Sequence, residues 1–456
     1  MSLSTLQQQS AKIRTIEKKL HDHMALYGYD TIELPFIEPS DIFLTRAGDT
    51  IIDRLFTFER FGRQLALRPE FTAAAASLYV SSKQTDIVRW QFSGAIFEDE
   101  PSNYSLEYQK YSIGAEFIGV NGVASDVETI AMAVGGVSKL GMTNWKLVIG
   151  HVGLQLHLLS RYGLDSKTYR MLLSQRDILK NNLRGKEIAL RNMKAIVSPK
   201  PVNHDNSDTH QQDSSQTQHI LNALLDSTRY GTTMGGRTRE DIAERLLNKR
   251  ERALEQHQIE AALDFFAEWV NLRAPIDEAF SQIEKWIGDD ADGHAILSDW
   301  QQTVVLLESY GIERDQIVIQ ADLTKNWEYY TGLVFGVEVG EDNYIVGGGR
   351  YDELTRILGS EKNIPAIGFA YYVDTMLPLL PVAAKMRNFV VINGEDGSDV
   401  IKWARFLRDN QIAVVISLAK DGIMLTIENG RASLNDLSYA FTEKDNLLKD
   451  LKAALS

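Results

Sequence analysis

Apolar residues recur at Ile13, Ile16, Leu20, Met24 and Tyr27, a helical spacing that Gly28 brings to an end. Residues 31–37 then alternate like a strand. Two short strands are expected at 54–58 and 64–67, joined by a turn at Gly62, and a helix at 73–80 with Pro69 near its start. Further strands are expected at 89–96, 108–118 and 145–150, with a helix over 124–140 between the last two.

From about 151 to 310 the pattern becomes mostly helical with weak strand signals. It is interrupted by 199–218, a run of Asn, Asp, Ser, Gln and His with almost nothing apolar. Strand texture returns at 316–319, 329–339 and 343–346, followed by Gly347, Gly348 and Gly349, a helix over 351–358 and a second helix after Gly368. Residues 388–456 look like a smaller βαβ-like unit, with strands at 389–392 and 413–417, a helix at 400–409 and a polar terminal helix. The pattern predicts an α+β protein: a mixed sheet in 1–150 and 311–385, an inserted helical region in 151–310, and a small α/β domain in 388–456.

A chain of 456 residues with 44% apolar and 24% charged residues has globular composition and room for two or three compact units. It contains no cysteine, which excludes disulfides, zinc–thiolate sites and a cysteine nucleophile and fits a reducing cytoplasm. The first ten residues are polar, without the apolar core of a signal peptide, and no window approaches the roughly 18 apolar residues of a membrane span. An intracellular, cytoplasmic protein with no membrane partner is expected. The net charge of −14 weighs against a nucleic-acid backbone as partner, although a local basic patch is compatible with it.

Three places carry candidate chemistry. Arg68, Pro69, Glu70, Phe71 and Thr72 set a carboxylate and a hydroxyl at a strand-to-helix junction, where backbone N–H groups also point outward. Glu116 lies within the apolar stretch 113–120, and a buried carboxylate there requires a partner. Together Glu70 and Glu116 either receive a ligand's ammonium or imidazole N–H, or form internal ion pairs with Arg68 or Lys110. Tyr329 and Tyr330, read within a strand, should face opposite sides of the sheet. The three glycines before Arg350, Tyr351 and Asp352 permit close backbone approach to a ligand, with a hairpin end as the plainer alternative. His204, His210 and His219 beside Asp205 and Asp208 lack metal-ligand spacing and are read as a solvated loop. No cofactor or metal is implied.

Taken in order, these segments resemble the histidyl-tRNA synthetases and their relatives. Residues 28–39 look like the class II motif 1 strand with its proline, 67–72 like the family's arginine-proline-glutamate-x-threonine element, and 92–119 like motif 2. Residues 323–335 and 346–354 resemble the two histidine-specific motifs, and 365–370 the opening of motif 3. The resemblance covers roughly residues 10–385 and implies a class II synthetase-like antiparallel sheet with helices. It also places Glu70, Thr72, Ser112, Glu116, Lys325, Tyr330 and Tyr351 where the family contacts histidine.

Against that pattern, Glu98 stands where motif 2 has its ATP-binding arginine, Thr375 where motif 3 has its own, and Tyr372 where a small glycine is usual. Lys325 replaces the catalytic arginine of the first histidine-specific motif, Ser112 a glutamine and Phe71 a glycine. Adenylate formation needs positive charge at the transferred phosphate, and a carboxylate there is repulsive. A synthetase scaffold without these arginines resembles the regulatory subunit of short-form ATP phosphoribosyltransferase. That resemblance implies no catalysis of its own, a short catalytic subunit as partner, a homodimer core within a hetero-oligomer, and histidine as feedback effector. A divergent synthetase, or a stand-alone synthetase-like protein with another ligand, is the alternative.

Overall fold

The computed structural model describes residues 3–44, 54–83, 85–99, 108–181, 184–197, 256–323, 329–381, 389–394, 397–416, 422–435 and 437–455. The polar run 199–218, with its histidines, and Lys325 lie outside these residues. The chain divides into two compact units, Gln9–Leu380 and a second comprising Pro381–Ser456 with Met1–Gln8.

In chain order the strands of the larger unit are β1 (Asp30–Thr31), β2 (Ile37–Pro39), β3 (Thr57–Arg60), β4 (Arg63–Leu67), β5 (Val88–Phe97), β6 (Gln109–Ile118), β7 (Lys146–His151), β8 (Arg273–Pro275), β9 (Ile317–Gln320), β10 (Leu333–Glu338), β11 (Tyr344–Arg350) and β12 (Ala366–Tyr372). Nine of them form one sheet in the order β1-β5-β6-β12-β11-β10-β7-β9-β8. From β5 to β7 every pairing is antiparallel, as the resemblance implied. β2, β4 and β3 make a small separate sheet.

Alternation along β6 gives the sheet two faces of different chemistry. Ile113, Ala115 and Phe117 point into the main core with Phe369 and Tyr371 of β12, Phe335 of β10, Ile16, Leu20 and Met24 of the helix Leu3–Ala25, and Ile130, Val134 and Val137 of the helix Val123–Lys139. Close approach on this side requires Gly136, where a Cβ would overlap the Tyr371 hydroxyl. Ser112, Gly114 and Glu116 take the opposite face, under the helix Thr72–Ser81. The helices between Val152 and Ser309 bury Leu158, Phe266, Trp269 and Trp300 in the same core cluster, and β8 from this region closes one edge of the sheet.

Several local expectations fail for identifiable reasons. Residues 31–37 are not one strand. β1 and β2 flank a break in which Pro35 has no N–H to donate, and the Leu34 and Pro35 carbonyls turn to the Arg68 guanidinium. The glycines Gly347, Gly348 and Gly349 lie inside β11 rather than in a loop or hairpin end, because neighbouring strands crowd them: a Cβ on Gly349 would meet Val334 and Tyr330, and one on Gly348 would meet Phe369. The helix expected over 351–358 shrinks to Leu354–Ile357, and the chain after Gly368 continues as β12 before a short helix, Val373–Met376.

The smaller unit is richer in strand than its pattern suggests. β13 (Val390–Gly394) pairs in parallel with β14 (Val414–Ile416) across the helix Gly397–Asp409, giving the expected βαβ element. β15 (Ile423–Glu428), β16 (Arg431–Leu434) and β17 (Leu437–Tyr439) extend it to five strands, with a terminal helix Lys444–Leu455. Trp403, Leu407, Leu447 and Leu451 supply its separate core.

Candidate functional site

The site grows from the junction at which β4 gives way to the helix Thr72–Ser81. Glu70 is half-buried, and its carboxylate accepts hydrogen bonds from the Thr72 and Ala73 backbone N–H groups, at 2.7 Å for the latter. It thereby satisfies donors that a helix start leaves open. Thr72 turns its hydroxyl the other way, to the Glu116 Oε1 at 2.6 Å, while the Tyr351 hydroxyl donates to Glu116 Oε2. Glu70, Thr72, Glu116 and Tyr351 thus form one connected polar run. Glu116 is 1% exposed, and the Thr72 and Tyr351 hydroxyls are the partners that a buried carboxylate there requires.

Register explains how a carboxylate fits there. Glu116 of β6 faces Gly368 of β12, and Gly368 faces Gly349 of β11. A Cβ on Gly368 would overlap the Glu116 carboxylate, and one on Gly349 would come within 2.9 Å of the Tyr330 ring. Two neighbouring glycines therefore make the floor on which the acid and the tyrosine lie. Tyr329 and Tyr330 do not face opposite sides as expected. β10 begins only at Leu333, and the two rings pack 4.8 Å apart in a turn before it. Tyr329 also meets Tyr351 edge-on at 5.8 Å, so three tyrosines enclose the acid pair.

Burial dominates the electrostatics. It raises the Glu116 carboxyl to about 8, against hydrogen bonds from Thr72 and Tyr351, and the charge of Glu70 adds to the rise. Burial raises Glu70 to about 7, opposed by the hydrogen bonds of Ala73 and Thr72. Tyr329, Tyr330 and Tyr351 are all raised well above the ordinary phenol range by burial, and they stay neutral.

Neither cation proposed as an internal partner pairs with these acids. Arg68 is 2% exposed, donates to the Ala95, Leu34 and Pro35 carbonyls, and stacks 4.2–4.3 Å from the Phe71 and Phe36 ring centres. Burial lowers it to about 10. Lys110 forms an ion pair with Glu98 at 3.0 Å. Among the described residues, no Lys, Arg or His is ion-paired to Glu70 or Glu116. Among the described residues, the half-buried Glu70 and the buried Glu116 meet hydroxyl and N–H donors and no cation, an arrangement whose chemistry suits a positively charged group.

The remaining site residues fall around this centre. Ser112 is buried two positions along the same face of β6, opposite Tyr372 and Gly94. Phe71 stacks on Phe92 at 4.5 Å in a cluster with Leu34, Ala74 and Ala75, so its bulk goes between helix and sheet. Tyr329 was named as one of a tyrosine pair, and Gly349 and Arg350 within the glycine-run motif, but neither they nor Gly368 were counted among the ligand-contacting residues. Only strand register shows that Gly349, Gly368 and Glu116 stand in one row. Arg350 turns to the other side, donating to Asp126, Ser125, Asp352 and the Val120 carbonyl.

The sequence model described as histidyl-tRNA synthetase matches residues 4–226 and 216–376. The chain belongs to this family. Among its relatives, a protein of Brucella canis named ATP phosphoribosyltransferase regulatory subunit is 27% identical over 360 residues, covering 77% of this chain and 93% of the relative. Its namesake in Brucella abortus is 27% identical over 360 residues, with 77% and 92% covered. Among solved structures, an ATP phosphoribosyltransferase regulatory subunit/histidyl-tRNA synthetase from Bacillus halodurans has TM-score 0.61 at 20% identity, over 90% of this chain and 89% of that one. A histidyl-tRNA synthetase from Nostoc has TM-score 0.60 at 13% identity, over 98% and 97%. Both share the fold of this family member. Among the described residues no helix is long and apolar enough to cross a membrane.

Proposed function

We propose that this member of the histidyl-tRNA synthetase family is the regulatory subunit of a short-form ATP phosphoribosyltransferase, taking free histidine as its effector. It would act through a homodimer core that assembles with a short catalytic subunit. Histidine would act by favouring one arrangement of the assembly over another, the differential binding that any allosteric effector requires. The names carried by the Brucella relatives support the role.

The observation that carries the reading is the contrast between the two halves of the cleft. On the amino-acid side, the clustering of Glu70, Thr72, Glu116, Tyr330 and Tyr351 about an acid pair, with no cation on it among the described residues, supports the reading. In this reading the α-ammonium meets Glu70 and Thr72, while Glu116 and Tyr330 hold the imidazole. On the nucleotide side, Glu98 stands where the family's phosphate-binding arginine is expected and takes up the Lys110 ammonium. Burial raises the Tyr372 phenol, and the charge of Glu98 adds to the rise. That half offers a carboxylate and a bulky phenol in place of a guanidinium fork.

A divergent synthetase is the second reading, favoured by the five-stranded unit beyond residue 380, which lies outside the family match. Histidine-dependent exchange of pyrophosphate into ATP separates the two. The purified protein is expected to give a rate indistinguishable from the no-enzyme control, and exchange clearly above that control would select the synthetase.

A further inference from the structure

The Glu70–Glu116 pair poses a problem of charge. Glu116 is 1% exposed, both its oxygens are engaged by neutral hydroxyls, and a second carboxylate stands across the shared Thr72. Among the described residues, every titratable group facing it is acidic or phenolic: Glu70 from the junction, Tyr329 and Tyr330 from the turn before β10, and Tyr351 from the end of β11. Among the described residues, no cation offsets the loss of water of two bare negative charges in such a place.

We infer that the empty pocket carries at least one proton on the Glu70–Glu116 pair and releases it to solvent when a cationic ligand binds. The inference rests on the effector reading above for its ligand, histidine, and adds the protonation state through which the site selects a cation. In chemical terms a carboxylic O–H ionises, its proton passes to the buffer, and the new carboxylate pairs with the ligand's ammonium or imidazole N–H. The hydroxyls permit both states. Thr72 and Tyr351 donate to an ionised Glu116, and either can rotate to accept from the protonated acid. The pair titrates as a unit, with Glu70 raised to about 7 and Glu116 to about 8. Near pH 7 most of the empty molecules therefore hold a proton, and above about pH 9 few do. A cation binding below that range must displace protons, so its affinity falls by up to about tenfold per pH unit for each proton released.

Two measurements on the full-length protein decide the matter. The infrared spectrum of the ligand-free protein at pH 7 should contain a protonated-carboxyl band that is weakened in Glu116→Gln and fades as the pH is raised to about 9. Calorimetric titration with histidine at pH 7, in buffers of different ionisation heat, should show release of about one proton per site. That release should vanish above about pH 9. Absence of the infrared band overturns the inference whether or not histidine binds. Histidine binding with the same heat in every buffer, and with the band unchanged, overturns it while leaving the effector role intact. A failure of histidine to bind removes the effector role instead, and the infrared band then decides alone whether the proton is stored.

Discussion

Glutamine at position 70 or 116 is expected to weaken histidine binding by well over tenfold while leaving the protein folded. Removing one partner of a buried charged pair loses about 2–5 kcal/mol, much of it from stranding the other charge. In this pocket the stranded charge is the ligand's own ammonium or imidazolium, since no protein cation is paired to either acid among the described residues. The fold should survive, because glutamine keeps the shape and an acceptor for the Thr72 and Tyr351 hydroxyls. The empty variant should also gain from losing a buried acid. Glu116 has its folded value raised to about 8 from an ordinary 4.5, so its neutral form is favoured by folding. That stabilisation is complete below the ordinary value and is lost as the pH rises to 8. Relative to wild type, the melting temperature of Glu116→Gln should therefore climb between pH 5 and about pH 8. Lys325→Ala should weaken binding less, because an ammonium on a flexible stem holds a carboxylate more loosely than a guanidinium fork. Equal histidine binding by both glutamate variants, measured by calorimetry, would place the ligand elsewhere.

The second large effect is on stability. Arg350→Met should destabilise the larger unit by about 3–5 kcal/mol, the range for removing one partner of a buried ion pair. Arg350 is 6% exposed at the end of β11, yet its guanidinium reaches Asp126 and Ser125 on the helix Val123–Lys139, Asp352 beyond the strand, and the Val120 carbonyl. Burial already pushes the Asp126 carboxyl up, with Arg350 pulling the other way. Methionine would leave that acid buried without its cation. The loss should also reach the ligand site: Asp352 accepts from the Ala366 N–H at 3.0 Å and Tyr351 lies between the two residues in sequence, so the hydroxyl over Glu116 is held from this cluster. Denaturant unfolding of the variant should show the change in its midpoint, and a shift equivalent to under about 1 kcal/mol would mean the cluster is replaceable.

Much of this architecture was legible before any coordinates, and unevenly so. Long elements with clear periodicity emerge within a residue or two: the pattern places strands at 89–96 and 108–118, and they form as β5 (Val88–Phe97) and β6 (Gln109–Ile118). Their signal is the alternation of a sheet with one face in the core. The hairpin-end alternative for the glycine run fails because glycine signals turns by its backbone freedom, whereas Gly348 and Gly349 serve β11 by having no side chain. The tyrosine pair was misread for a different reason. Apolar texture runs from 329 to 339, but Thr331 donates to the Arg350 carbonyl and Gly332 packs on the Arg350 stem, which delays the strand to Leu333. In the site, Glu70, Thr72 and Glu116 were marked by their own chemistry and joined with Tyr330 and Tyr351 by resemblance, and the structure brings all five together. Gly368 beneath Glu116 and the pairing of Lys110 with Glu98 depend on strand register, which one sequence does not reveal. β15, β16 and β17 escaped notice because short strands in a small sheet, such as Arg431–Leu434, carry too few alternations to stand out.

The regulatory role is tested most directly by reconstitution with a short-form ATP phosphoribosyltransferase catalytic subunit, one without a regulatory domain, from the same organism. Phosphoribosyl transfer should be followed with and without this protein, across a range of histidine concentrations, alongside the sedimentation of the mixture. The expected result is a complex larger than either component and transfer that histidine inhibits only when this protein is present, with Glu70→Gln and Glu116→Gln blunting the inhibition. Components that sediment independently, with catalysis equally sensitive or equally blind to histidine in both samples, would contradict it.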